Sequence, residues 1–450
     1  MNIVVVGGGK VGSTLVEQLS NEEHDITVVD VNQKVLTNIS NRYDIVTLCG
    51  NGAAYPVQIQ AGVEKADLII ATTSMDERNI LCCMVAGQVG AKYTIARVRN
   101  PEYASHMQYL QDNLKLSMSI NPEQEAAKEI MRILHFPAAI RVNQFMHDRV
   151  EMIEIRLSEG NPLVGLSLGE MKNRYSQNVL VCAVSRDGKS YIPGGNFILH
   201  QDDHITLLGS PADLNSFTKE LIPSIRKVKN VMIVGGSRIA HYLCDMLAEH
   251  GVKTKIIDCD ENRCRELSEQ LPDTRIIHGD ARDRELLQEE GVERMDAFIS
   301  LTGLDEENII ASMYASSCGV PKVISKISDR DMARMVDRLG LDIVISPKTL
   351  TADLIVRFVR SIAYAGKNTV RTLYTISDGS IEVMEYFVDG DLPFIGKPLS
   401  DLPIRSNILI ACIIRDGVPL IAGGSTSICQ GDSVIVVARK GRLKSLADIV

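Results

Sequence analysis

Val4-Val5-Val6-Gly7-Gly8-Gly9-Lys10-Val11-Gly12 decides the fold, because it returns as Met232-Ile233-Val234-Gly235-Gly236-Ser237-Arg238-Ile239-Ala240 at an offset of 228 (235 − 7). Asp30 and Asp258 close the next apolar runs at the same offset. Ala66 to Thr73 then matches Met295 to Thr302 at 229, after one inserted residue. A register held over two hundred residues is an internal duplication.

Around the first copy, continuous apolar runs alternate with helical spacing. Ile3 to Val6, Ile26 to Val29, Ile45 to Leu48, Leu68 to Ala71 and Ile95 to Val98 read as strands. Val11 to Leu19, Val35 to Ile39, Pro56 to Ala61 and Glu77 to Val89 read as helices. Unbroken apolar strands separated by amphipathic helices imply a parallel sheet covered on both faces, a doubly wound Rossmann-like α/β fold. A helix begins near Pro122. From Val150 to about Leu208 the strands become short and alternating, with turn signals at Asp187-Gly188 and Pro193-Gly194-Gly195. This smaller α+β module also returns: Gly165 matches Gly396, Arg186-Asp187-Gly188 matches Arg415-Asp416-Gly417, and Gly194-Gly195 matches Gly423-Gly424. The polar stretch Pro223 to Lys229 joins the halves.

The composition, 45% hydrophobic and 23% charged, is that of an ordinary globular protein. Apolar runs such as Val434 to Val437 fall far short of the roughly 18 residues needed to cross a bilayer, and Met1-Asn2-Ile3 enters a strand without a basic leader. The expectation is a chain that neither spans a membrane nor is exported. A net charge of −9, with no Lys/Arg stripe, argues against nucleic acid as a partner. The ten cysteines lack metal-ligand spacing and read as reduced thiols packed as small hydrophobes. Cys82-Cys83 and Cys259 with Cys264 are the pairs that would suggest otherwise.

Gly7-x-Gly9-x-x-Gly12 leaves a strand and opens a helix, and Asp30 follows at the tip of the second strand. That context is the dinucleotide fingerprint: a tight turn at Gly7, close phosphate approach at Gly9, helix packing at Gly12, and phosphates on the helix N-terminus. Asp30 suits ribose hydroxyls and disfavours a 2′-phosphate, so NAD(H) or ATP/ADP is expected over NADP(H). In the second copy Ser237 stands where the backbone should meet a pyrophosphate. Asp258 and Arg238 still offer ribose and phosphate partners, so a weaker or different nucleotide site and a purely structural copy both stay open. Thr73 and Ser74 lie beyond the fourth strand, where loops line the ligand crevice; capping of the next helix by Ser74 or Asp76 explains that stretch equally well. Arg97, matched by Lys326, is placed to reach a phosphate or to form a surface ion pair. No Ser/His/Asp, Cys/His or metal constellation accompanies these turns, and the nine histidines are dispersed. The reading is therefore a binding protein, against the alternative of an NAD-dependent oxidoreductase with a duplicated cofactor domain or a free-standing regulator.

The order Rossmann copy, small module, Rossmann copy, small module, with Gly7-x-Gly9-x-x-Gly12, Gly50-Asn51-Gly52-Ala53 and Arg186-Asp187-Gly188, closely resembles the TrkA family of Trk system potassium uptake proteins. The resemblance covers essentially the whole chain. It implies RCK (KTN) N-domains at 1–123 and 229–348, and RCK C-domains at 140–224 and 368–450. It further implies a cytosolic, peripheral subunit on the inner face of the cell membrane, assembled as a homotetrameric ring beneath a TrkH/TrkG-like potassium transporter. Such proteins are not enzymes and answer to NAD(H), ATP or ADP. Carried to this chain, the first pocket comprises Gly7, Gly8, Gly9, Lys10, Val11, Gly12, Asp30, Thr73, Ser74 and Arg97. The second comprises Gly235, Gly236, Ser237, Arg238, Ile239 and Asp258. Helices after Pro122 and Pro347 would cross between neighbouring N-domains, the second through a face of Leu350, Leu354, Ile355, Phe358 and Ile362, a face that covering its own sheet would explain equally well.

Overall fold

The computed structural model describes all residues except 23, 101–102, 104–110, 112–115, 146–148, 223–226, 338–339, 342, 364–369, 378, 391, 442 and 444. Four residues of the expected linker, 223–226, thus lie outside the described residues. The chain forms two compact units: Met1–Met131 with Lys229–Val356, and Arg132–Val228 with Arg357–Val450.

The first unit holds both copies of the Rossmann-like domain. The first copy runs β1 (Asn2–Val6), α1 (Lys10–Leu19), β2 (Asp25–Asp30), α2 (Gln33–Ser40), β3 (Val46–Cys49), α3 (Tyr55–Gln60), β4 (Leu68–Ala71), α4 (Asp76–Val89), β5 (Tyr93–Arg97), β6 (Met118–Ile120) and α5 (Pro122–His135). Its strands order β3-β2-β1-β4-β5-β6, all parallel. The crevice for a ligand lies at the carboxyl ends of β1 and β4, where the strand order reverses. All four residues of β4 are buried, as an apolar strand covered on both faces must be. The sixth strand, Met118–Ile120, has only three residues and escaped the sequence reading for that reason.

The first small module runs β7 (Arg141–Phe145), β8 (Val150–Arg156), α6 (Leu168–Arg174), β9 (Leu180–Arg186), β10 (Lys189–Tyr191), β11 (His204–Gly209) and α7 (Pro211–Leu221). The second Rossmann copy follows: β12 (Asn230–Val234), α8 (Arg238–Glu249), β13 (Lys253–Asp258), α9 (Glu261–Gln270), β14 (Thr274–His278), α10 (Arg284–Glu289), β15 (Ala297–Ser300), α11 (Asp305–Ser317), β16 (Lys322–Lys326), α12 (Arg330–Asp337), β17 (Val344–Ile345) and α13 (Pro347–Ala363). Its sheet order, β14-β13-β12-β15-β16-β17, repeats the first. Strand pairing locates the inserted residue: Asp30 faces Cys49 while Asp258 faces His278, so the extra residue lies between β13 and β14, where α9 is also longer than α2.

The last module, β18 (Val370–Ile376), β19 (Ile381–Phe387), β20 (Ile408–Arg415), β21 (Val418–Ile421) and β22 (Ser433–Arg439), repeats the antiparallel order of the first small sheet. In the matched hairpins Asp187 and Gly188 have φ of 51° and 71°, and Asp416 and Gly417 have 51° and 77°. Two consecutive positive φ values define the tight hairpin turn that the Asp-Gly dipeptide favours. Arg186 and Arg415, just before these turns, pair with the buried Asp203 and Asp432 at 2.6 and 2.9 Å. The two small modules share one core, in which Phe145, Met152 and Cys182 pack with Ile381, Cys412 and Val437.

Within the single chain, the apolar residues of α13 divide into a covered stripe and a half-exposed one. Of Leu350, Leu354, Ile355, Phe358 and Ile362, only Ile355 is buried; the covered stripe is Ala352, Ile355, Val356 and Val359. Several apolar frames overlap on that helix, and only packing chooses between them. Six of the ten cysteines are buried, and burial pushes the Cys82 thiol up to about 12. Cys49 and Cys259 are exposed.

Lys322 opens β16 almost wholly buried, and burial pulls its pKa from 10.5 to about 7. The folded state therefore releases a proton that the unfolded chain still binds, so between about pH 7 and 10 this residue makes stability rise with pH. Lys322→Met should remove that rise, read as urea midpoints across this range.

Candidate functional site

The two phosphate turns are built alike and finished differently. Gly7 has φ +99°, and a side chain there would sit 2.9 Å from the Thr72–Thr73 backbone, so only glycine lets β1 turn beside β4. A Cβ at Gly12 would lie 1.9 Å from the Gly7 carbonyl oxygen. Gly9 is another matter: its φ is −65°, and a Cβ would meet nothing within 4 Å. A side chain at position 9 would thus meet no neighbour among the described residues. Helix α1 also begins without a side-chain cap, so its first N–H groups remain available to an anion. Lys10 is exposed beside them, and Val11 is buried under the turn.

In the second half Ser237 occupies the position of Gly9 and accepts a hydrogen bond from the Ala240 N–H at 3.4 Å, capping α8. The structure adds a second difference between the copies to the expected one. Besides adding bulk, Ser237 spends a helix N–H that an anion would use. Gly235 repeats the positive φ of Gly7, at 93°. Gly236 follows it, Ile239 is buried, and Arg238 is exposed at the helix start. Ala240 fills the place of Gly12, so the second turn must stand further from its helix than the first.

Asp30, expected to meet a ribose, has a structural task in the protein itself. Its Oδ2 accepts the Gly8 N–H at 2.7 Å and its Oδ1 accepts the Asn32 N–H at 2.8 Å, tying the phosphate turn to the tip of β2. Asp258 makes the same pair, to Gly236 at 2.5 Å and Asp260 at 2.8 Å. Each carboxylate oxygen keeps lone-pair capacity on its outer side. One further contrast marks the second half. Arg263, where the first half has Val35, donates from Nε to the Gly236 carbonyl at 2.7 Å.

Beyond β4, Thr73 is half-buried and its hydroxyl donates to Asn79 Oδ1 at 2.7 Å, while Ser74 is exposed. Neither Ser74 nor Asp76 caps α4. Its N-cap is Met75, and Asp76 Oδ2 instead accepts the N–H groups of Arg99 and Asn100 at 2.7 and 2.8 Å. Sequence reading missed Asn79. Fully buried, it accepts the Thr73 N–H at 2.8 Å and donates to the carbonyls of Thr73 and Arg97 at 3.2 and 2.9 Å. Asn308 repeats these bonds to Thr302 and Lys326 in the second half. An asparagine at the same offset of 229 (308 − 79) in the matched helices was the available signal.

Arg97 is half-buried, and its guanidinium donates to the Thr73 carbonyl. Burial and the neighbouring Arg99 lower its pKa, against Glu123 and Asp76. The surface ion pair offered as an alternative gives way to a carbonyl contact at the mouth of the crevice. Lys326 is its counterpart. Burial pulls it down, Asp305 opposes this, and Lys10 of the first half adds to it. The end of the second sheet therefore lies in the field of the first phosphate turn, within one compact unit. Asn121 Nδ2 donates to Tyr242 Oη at 3.0 Å and Gln18 Nε2 to Asp353 Oδ1 at 2.8 Å, joining the two copies directly.

Comparison with known proteins agrees with the duplication. The TrkA-N domain family matches residues 3–121 and 231–347, and the TrkA-C domain family matches 152–222 and 383–450. The chain is 33% identical to the Trk system potassium uptake protein TrkA of Halomonas elongata, across 99% of this chain and 98% of that protein. It is 30% identical to a TrkA homolog of Archaeoglobus fulgidus over the full length of both. Among solved structures, the GsuK RCK domain aligns with a TM-score of 0.64 at 18% identity, covering 98% of this chain and 92% of that one. The GsuK channel bound to NAD aligns at 0.65, covering 98% and 77%. At such identity these structures speak for the fold.

Replacing Asn79 with leucine strands a buried N–H and buried carbonyls. The expected cost is about 3 kcal/mol, with faster hydrogen exchange at Thr73 and Thr94 to Val98 while the second half keeps its protection.

Proposed function

The chain belongs to the TrkA family of Trk potassium uptake proteins, and from that premise we propose that it is the nucleotide-sensing subunit of a potassium uptake system. In this reading it binds NAD(H), ATP or ADP and sets the activity of a TrkH/TrkG-like membrane partner from the cytoplasmic face, as a homotetrameric ring. The observation that carries the reading is the pair of strand–turn–helix sites, each closed by a carboxylate, within one compact unit. No helix among the described residues is long and apolar enough to cross a membrane, and in this reading the ion path belongs to the membrane partner.

The residues fit a dinucleotide or nucleoside phosphate in the first half. The uncapped N-terminus of α1 and Lys10 would meet phosphates, Asp30 the ribose, and Arg97 a phosphate from the β5 side, with Thr73 and Ser74 shaping the wall between. The second half, with Gly235, Gly236, Ser237, Arg238, Ile239 and Asp258, offers fewer free N–H groups and would hold its ligand more weakly. The ligand acts here by binding two conformations unequally. A tenfold preference contributes about 1.4 kcal/mol per site, and several sites in a ring add up to a decisive shift.

Asp30→Ala should weaken NAD(H) or ATP binding ten- to hundredfold, from the loss of about 1.5–3 kcal/mol of charge-assisted hydrogen bonding. Calorimetry measures this, with Asp30→Asn and circular dichroism separating ligand loss from loosening of the turn. Unchanged affinity for every adenine nucleotide would remove Asp30 from the site. In proteoliposomes containing a TrkH-like partner, potassium flux should depend on this subunit and on which of NADH, NAD, ATP or ADP is present. Flux indifferent to both, or steady substrate-dependent oxidation of NADH, overturns the reading.

A further inference from the structure

Tyr242 lies one turn into α8, the helix that opens from the second phosphate turn, yet its hydroxyl is bound in the first half of the chain. It donates to the Arg99 carbonyl at 3.3 Å and accepts from Asn121 Nδ2 at 3.0 Å. The equivalent residue of α1 is Thr14, whose hydroxyl turns back to Lys10 O at 2.9 Å within its own helix. The Tyr242 link thus has no counterpart at Thr14 in the first copy.

What it holds is the arginine segment of the first site. Arg99 donates from its guanidinium to the Ser74 carbonyl at 2.8 Å, and its backbone N–H goes to Asp76 at 2.7 Å, so its position sets the loop beyond β4. Asn121 accepts the N–H groups of Glu123 and Gln124 at 3.1 Å each, fixing the start of α5. Charge pairing around this segment is loose: Arg99 approaches Asp76 and Glu123 only at 3.9 Å. Asp76 Oδ1, Arg97 Nε, Arg99 Nε and Glu123 Oε2 are all buried without a hydrogen-bond partner. Charged atoms that are buried without hydrogen bonds have large interactions waiting on small displacements, so the neutral bonds that place them matter more than usual. Burial raises the Tyr242 pKa and keeps its phenol a donor.

We infer that Tyr242 is a positioning residue through which the second phosphate turn sets the Arg97–Arg99 segment of the first nucleotide site, so that occupancy of one site changes affinity at the other. This rests on the reading that both turns bind nucleotide. By linkage the change is the same factor in both directions.

The test titrates NADH into the full-length protein by its fluorescence, with and without saturating ATP, in wild type, Asp258→Ala, Tyr242→Phe and the double variant; Asp30→Ala identifies the first-site signal. Any ATP effect that survives Asp258→Ala is direct competition at the first site, and the remainder is coupling. That remainder should be about fivefold or more in wild type and close to unity in Tyr242→Phe, which keeps the ring and changes only the hydroxyl. A thermal midpoint and far-UV spectrum like those of wild type show that Tyr242→Phe is folded. NADH binding with no coupling in wild type, or coupling retained in Tyr242→Phe, overturns this inference alone. Absence of any NADH-dependent signal overturns the nucleotide reading and this inference with it.

Discussion

The bond from the Gly8 N–H to the Asp30 carboxylate, repeated between Gly236 and Asp258, is the constraint on which both sites depend. A parallel sheet directs its strand ends toward one crevice, and helix N-termini bring unpaired N–H groups there. Those groups serve a ligand only if the turn carrying them is held still. One carboxylate oxygen takes the turn and the other takes the loop opening the next helix. Asp30 therefore shapes the turn before any ligand arrives, and a substitution there that tests ribose binding also loosens the turn.

Duplication copies such a device and frees the second version to change. Gly9 is open and its helix uncapped, whereas Ser237 caps its own helix. Val35 packs its methyl groups against Gly8, whereas Arg263 lays its stem there and donates to Gly236. Each substitution preserves the fold, because the paired Asp and the buried Asn79 and Asn308 bonds are retained, while altering what the pocket presents to an anion. The two unequal turns lie in one compact unit and are bridged by Tyr242 and Gln18.

The small modules are built on a different balance. Their sheets are antiparallel and share a core, and each Arg-Asp-Gly hairpin carries an arginine that neutralises an aspartate with almost no exposed surface. Such a pair is costly to break, since a lone buried charge has no solvent to turn to. Its repetition at matching places shows that these motifs serve the scaffold of the second unit.

The sequence by itself determined the duplication, the parallel order implied by apolar strands between amphipathic helices, the phosphate turns, and the Asp30 and Asp258 positions. These are local patterns: strand periodicity, glycine spacing and a carboxylate at a strand tip are set by backbone sterics within a few residues. Tertiary structure decided the rest. Asn79 is an ordinary helix residue until a loop from β4 and the end of β5 converge on it. Asp76 reads as a helix cap until Arg99 and Asn100 arrive from 23 and 24 residues away. The buried stripe of α13 could not be chosen among overlapping apolar frames without its neighbours. Tyr242 belongs in sequence to the second site and in space to the first, because a hydrogen bond depends on distance and direction in three dimensions and leaves no periodicity along the chain.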